Sequence, residues 1–274
     1  MSPKFPNWLK PPKASGDGTM PLRDHLREIR YRLIVSLSVI ILASILAAIW
    51  SEQLIGLLMQ PYTRAVAILS ESDPKLQPIP VIEGVIAPFA LLLKVSVTAG
   101  VICSSPIWLH QLWSFIVPAL RQAEKRNAAI FLATATPLFI LGVGMGYYFL
   151  PLGISMLLAF TPASVPVVNL LDMNAFLSLV VQLMMIFGLG FLMPVVVVAM
   201  NFIGVLKAKK MSQIRKYVIF GIFCFGALAT PADPYSMLAL ALPMVALYLI
   251  AELIARIHDR REMAAAKRNG ELES

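Results

Sequence analysis

Two glutamates stand among arginines in a chain that is otherwise poor in charge. Glu28 has Arg27, Arg30 and Arg32 beside it, and Glu124 directly precedes Lys125 and Arg126. Such carboxylates admit two chemistries. One is a solvated ion pair, since Glu28 lies four residues before Arg32 and that spacing puts both on one helix face. The other is capture of an incoming guanidinium, whose planar fork gives a carboxylate two parallel charge-assisted hydrogen bonds that lysine cannot match. The residues alone leave both open.

Catalysis finds no support. His25, His110 and His258 lie in or near segments that read as cytoplasmic, so no imidazole is placed as a base inside the membrane. No Gly-x-x-x-x-Gly-Lys-Ser/Thr loop is present to cradle phosphates, and no cluster shows metal-ligand spacing. The Gly-x-x-x-Gly spacing of Gly142 and Gly146 reads as close helix packing. Cys103 and Cys224 fall in apolar runs and serve as small apolar residues. The chain is therefore expected to be no enzyme and to need no cofactor or metal.

The elements that must position the glutamates are membrane helices. Apolar runs cover roughly residues 33–50, 85–108, 128–150, 176–205, 217–230 and 235–257. Most reach the roughly 20 residues that a hydrocarbon core of about 30 Å demands, whereas the fifth, at about 14 residues, spans only about 21 Å at 1.5 Å per residue. With 58% hydrophobic and 14% charged residues among 274, a soluble fold would expose too much apolar surface.

Basic residues alternate between the gaps. Seven of the 23 Lys and Arg precede the first run, three fall in the third segment outside the spans, and five each flank the start of run five and the end of run six. Only Arg64 and Lys75 occupy the other side, and Lys94 lies inside a run. The positive-inside rule makes the rich side cytoplasmic. The expected fold class is an all-α integral membrane protein of six spans, both termini cytoplasmic, with short fifth and sixth spans that thin the bilayer locally. Its parts are a flexible lead over residues 1–21, a membrane domain over 22–257 and a cytoplasmic tail over 258–274. The net charge of +8 then serves orientation and contact with anionic lipid, not nucleic acid.

Between the spans, residues 24–33 form a short amphipathic helix running into span one. Residues 53–69 form a second helix along the outer face. Trp108 and Trp113 suit a helix at headgroup depth, ended by Pro118. Few polar groups enter the spans: Lys94, Gln182, Asn201 and Glu252. That is a poor set for a small-solute transporter, which would place substrate-binding polar groups at the midplane. A membrane scaffold without a signal site is the other alternative.

His25-Leu-Arg-Glu-Ile-Arg-Tyr-Arg-Leu33, Pro106 through Gln111-Leu-Trp-Ser-Phe-Ile-Val-Pro-Ala-Leu120, Glu124 and Thr230-Pro-Ala-Asp-Pro234 occur in order and at suitable spacing. Together they resemble TatC, the multi-spanning receptor of the twin-arginine protein translocase, over residues 22–257. The resemblance implies a protein of the bacterial-type cytoplasmic (inner) membrane that binds twin-arginine signal peptides of folded cargo. It implies TatA- and TatB-type single-span partners, a homo- or hetero-oligomer, and transport driven by the proton-motive force.

By position, the resemblance places signal-peptide binding at Glu28, Glu124, Phe115, Arg30 and Pro106. It places structural or partner contacts at Pro61, Lys94, Gln182, Pro194 and Asp233. Each glutamate would take one arginine of the pair, and Phe115 the apolar residue that follows. One departure stands in Phe187-Gly-Leu-Gly-Phe-Leu-Met-Pro194: Leu192 occupies the position where the family often has a glutamate. Gln182, ten residues away and about 15 Å along a helix, is too far to replace it.

Overall fold

Backbone amides in hydrocarbon have no water to bond, so apolar segments must satisfy their own N–H and C=O groups as helices. The computed structural model, which describes residues 22–70, 79–116, 125–159, 170–202, 204–230 and 234–268, follows that rule. Its helices are α1 (Leu22–Ala48), α2 (Ser51–Ser70), α3 (Ala87–Cys103), α4 (Ser105–Ile116), α5 (Lys125–Ala159), α6 (Met173–Phe202), α7 (Ala208–Ala229) and α8 (Pro234–Arg268). Two three-residue strands, β1 (Ile79–Val81) and β2 (Leu170–Asp172), pair in parallel. Neither strand is expected from the sequence.

Among the described residues four helices are long and apolar enough to cross a membrane, α1, α5, α6 and α8, and a fifth if α3 and α4 count as one bent span. In α1 the residues Leu33, Leu37, Ile41, Leu42, Ile45 and Leu46 are all exposed. A helix that is apolar on its open faces needs lipid around it.

The chain divides into two compact units. The first takes in α1, α3, α4 and the start of α5, with α1 packed on α3 and α4. Close approach of α1 to α3 depends on Gly100, where a Cβ would meet the Ser44 backbone nitrogen at 2.7 Å. The expected single run over residues 85–108 is instead broken at Ser104, where α3 and α4 bend by 60°. Pro106 explains the break: it has no N–H to return to the Ile102 carbonyl, yet is tolerated in the first turn of the next helix. The Trp108 indole N–H donates to the Val101 carbonyl at 2.9 Å and staples the corner. Trp113 is buried and stacks on Phe131 with ring centroids 3.9 Å apart, so it is a packing residue and no headgroup anchor.

The second unit holds most of α2, the strands, the rest of α5, and α6 to α8, with α8 packed on both α6 and α7. The Gly-x-x-x-Gly spacing is the packing device the sequence suggested. A Cβ on Gly142 would lie 2.6 Å from the Phe187 carbonyl oxygen, and one on Gly146 3.1 Å from that of Leu183. Asp172 ends β2 and caps α6, its carboxylate accepting from the Asn174 N–H at 2.9 Å and the Ala175 N–H at 3.3 Å.

Buried Pro61 interrupts α2 and leaves the Leu57 carbonyl, one turn back, without its helical donor. The Tyr147 hydroxyl of α5 supplies one, at 2.8 Å. Tyr147→Phe therefore lowers the thermal midpoint of the purified chain, at a cost of about 1 kcal/mol. An unchanged midpoint would mean that the carbonyl finds another donor.

Candidate functional site

Glu28 sits two turns into α1, and the packing of α1 on α4 buries it to 6% exposure. The ion pair that the four-residue spacing suggested does form. Arg32 donates from Nε to Glu28 Oε1 at 3.0 Å and from Nη2 to the same oxygen. Its Nη1 reaches the Gln111 side-chain oxygen of α4 at 3.4 Å. The fork therefore does not clasp both carboxylate oxygens. It grips one, and Glu28 Oε2 is buried with no hydrogen-bond partner among the described residues. An unmatched carboxylate oxygen out of water is costly, and a donor that reached it would recover that cost.

A second buried glutamate supplies the contrast. Glu252 of α8 is 2% exposed, and both of its oxygens are taken. Arg215 of α7 donates to Oε2 at 2.9 Å and to Oε1 at 2.8 Å, and Arg256 donates to Oε1 as well. Ser212 accepts from Arg256 at 3.0 Å. That is a closed structural ion cluster, while Glu28 is half open.

The remaining expected residues divide as follows. Pro106 opens α4 and is exposed, and Arg30 is exposed on α1, outside the Glu28–Arg32–Gln111 cluster. Phe115 falls one turn after Gln111 on α4, but its side chain lies outside the described residues, as do Glu124, Asp233 and Pro118. Lys94 is half-buried on α3, Gln182 is exposed on α6, and Pro61 and Pro194 are buried. Leu192 is buried in α6. Asn201 is committed to structure: its amide donates to the Leu206 carbonyl and to Asp259, each at 2.8 Å.

Two details of these clusters are not evident from the sequence. Gln111 stands there only as one residue of a motif, and its role becomes visible once α4 folds against α1. Glu252 reads as a polar residue in a span, although its four-residue spacing to Arg256 signals an ion pair. No metal-ligand spacing stands out in the sequence either, whereas ligand atoms of His258, Asp259 and Glu262 lie within 4.8 Å of one another. Asp259 is already engaged there, accepting from Asn201 and from the Ala208 N–H at the start of α7.

The family profile of the Sec-independent protein translocase protein TatC matches residues 24–243. Similar proteins include TatC of Frankia casuarinae, 37% identical over 89% of this chain and 68% of that protein. TatC of Aquifex aeolicus is 31% identical over 90% and 100%, and that of Escherichia coli 30% over 89% and 91%. Among solved structures, the crystal structure of the twin-arginine translocase receptor TatC in DDM superposes with a TM-score of 0.69 at 31% identity, covering 84% of this chain and 99% of that one.

Proposed function

The chain belongs to the TatC family, a non-enzymatic multi-pass component of a protein translocase, and from that premise we propose that it binds twin-arginine signal peptides through Glu28 and Glu124. The observation that carries the reading is the half-used carboxylate. Glu28 keeps one oxygen on Arg32 and has a second, buried, without a donor among the described residues. A signal guanidinium at Oε2 gains a charge-assisted bond in a poorly solvated place, where such bonds are strongest. Arg32 holds Glu28 oriented while Gln111 fixes Arg32.

In this reading Glu124 takes the second arginine and Phe115 the apolar residue after it, with Arg30 and Pro106 shaping the rim. Pro61, Lys94, Gln182, Pro194 and Asp233 belong to helix shape and partner contact. The chain crosses the cytoplasmic membrane six times with both termini cytoplasmic; α7 is the short fifth span as expected, but the sixth, expected short, is the 35-residue α8, and the second short span is α3. At 17 residues α3 covers only about 26 Å, and the apolar part of α7 begins at Tyr217. The lead over residues 1–21 and the tail from 258 stay in the cytoplasm, although α8 itself runs to Arg268. TatA- and TatB-type subunits complete the conduit, and the proton-motive force drives cargo through it. With Leu192 in place of an acid, either partner contact at α6 is apolar or another polar residue takes it over.

The test is photo-crosslinking of a twin-arginine peptide to membranes holding the chain, repeated with Lys-Lys. Adducts on α1 and α4 that vanish with Lys-Lys support the proposal. Equal adducts with both peptides would reject guanidinium recognition.

A further inference from the structure

We propose that a cleft between the first turns of α7 and the C-terminal part of α8 binds the phosphate of an anionic lipid headgroup. The cleft has a volume of about 440 Å³ and is lined by Ala208, Lys209, Ser212, Gln213, Arg256 and Arg260. That volume suits a glycerophosphate headgroup, small sites starting at about 300 Å³. Three of its six lining residues are cations and none is an acid.

Two acids beside the cleft are occupied. Glu252 has both oxygens on Arg215 and Arg256, and Asp259 accepts from Asn201 and the Ala208 N–H. Lys209 and Arg260 have no carboxylate partner among the described residues. Arg256 and Arg260 stand one helical turn apart, and an anion between them would relieve their mutual repulsion. Ser212 Oγ accepts from Arg256 at 3.0 Å and from Arg215 at 3.4 Å, which leaves its own proton to donate. Two arginines, a lysine and a serine lining one open cleft can supply the donor set of a phosphate site.

A free phosphate offers the same chemistry, but the surroundings favour lipid. Leu253, Ile254 and Ile257 are exposed on α8 beside Arg256, and Tyr217 and Phe220 are exposed on α7 just past Lys216. Acyl chains would cover this apolar surface while the phosphate sits in the basic cleft, as expected of a pocket between membrane helices on the positive side.

The experiment uses the full chain in detergent. Native mass spectrometry counts retained dioleoyl-phosphatidylglycerol and, separately, dioleoyl-phosphatidylcholine, while thermal unfolding is followed with and without inorganic phosphate. The proposal expects one tightly held phosphatidylglycerol, bound roughly tenfold more weakly or worse by Lys209→Gln/Arg260→Gln. The charge-keeping Lys209→Arg/Arg260→Lys and the distant Arg64→Gln should bind as the parent does. Arg256 is left intact because it holds Glu252. Equal retention of both lipids, or retention unaffected by the glutamine pair, would overturn the site. Stabilisation by inorganic phosphate that the glutamine pair abolishes, without preferential retention of phosphatidylglycerol, would overturn the lipid assignment.

Discussion

Glu28→Ala reduces crosslinking of a twin-arginine peptide to the full chain by tenfold or more, and Glu28→Gln by nearly as much. A hydrogen bond to a charged group contributes about 1.5–3 kcal/mol, and each 1.4 kcal/mol is about tenfold in binding. Glutamine keeps the shape of the side chain but turns one acceptor into a donor and removes the charge, so the difference between shape and charge is directly readable. Glu28→Asp keeps the charge and shortens the reach, and should fall between parent and alanine. Gln111→Leu acts only through Arg32 and costs less. Should Glu28→Ala bind the peptide as the parent does, the Arg32 pair is a helix contact and nothing more.

Gly142→Val is the second large effect, and it concerns the scaffold. At 2.6 Å from the Phe187 carbonyl oxygen a Cβ has no room, and the obstacle is backbone, which cannot swing aside as a side chain can. Overpacking in a formed core costs about 1–3 kcal/mol; separating α5 from α6 should put the loss at or above the top of that range, seen as a lower thermal midpoint or loss of the chain from membranes. Gly144 is the internal control, with nothing within 4 Å of the place a Cβ would take. Gly144→Ala should be neutral or slightly stabilising, since alanine is the better helix former by about 1 kcal/mol. Equal damage at both positions would mean that glycine is needed here for something other than close approach.

How much is legible in the sequence depends on the range of each interaction. Hydrophobic run length marks the described helices, and the Glu28–Arg32 pair follows from spacing alone, because both are local properties. The break at Ser104 is written in Ser104-Ser105-Pro106 but is masked by the continuous apolar run around it. Strands β1 and β2 leave no such trace: each is three residues long and exists through a partner some 90 residues away. The fork of Arg215 on Glu252 joins residues 37 apart, and the Oε2 of Glu28, without a donor among the described residues, is defined by the packing of α4. Residue types announce the guanidinium chemistry, while packing decides which glutamate is saturated and which is open.

The most direct measurement is a double-mutant cycle on solution affinity, pairing Arg-Arg and Lys-Lys peptides with the parent chain and with Glu28→Gln. If the carboxylate at residue 28 holds one of the two guanidiniums, the affinity lost on going from Arg-Arg to Lys-Lys shrinks about tenfold in the variant, the remainder belonging to Glu124. The same loss in both proteins would contradict it.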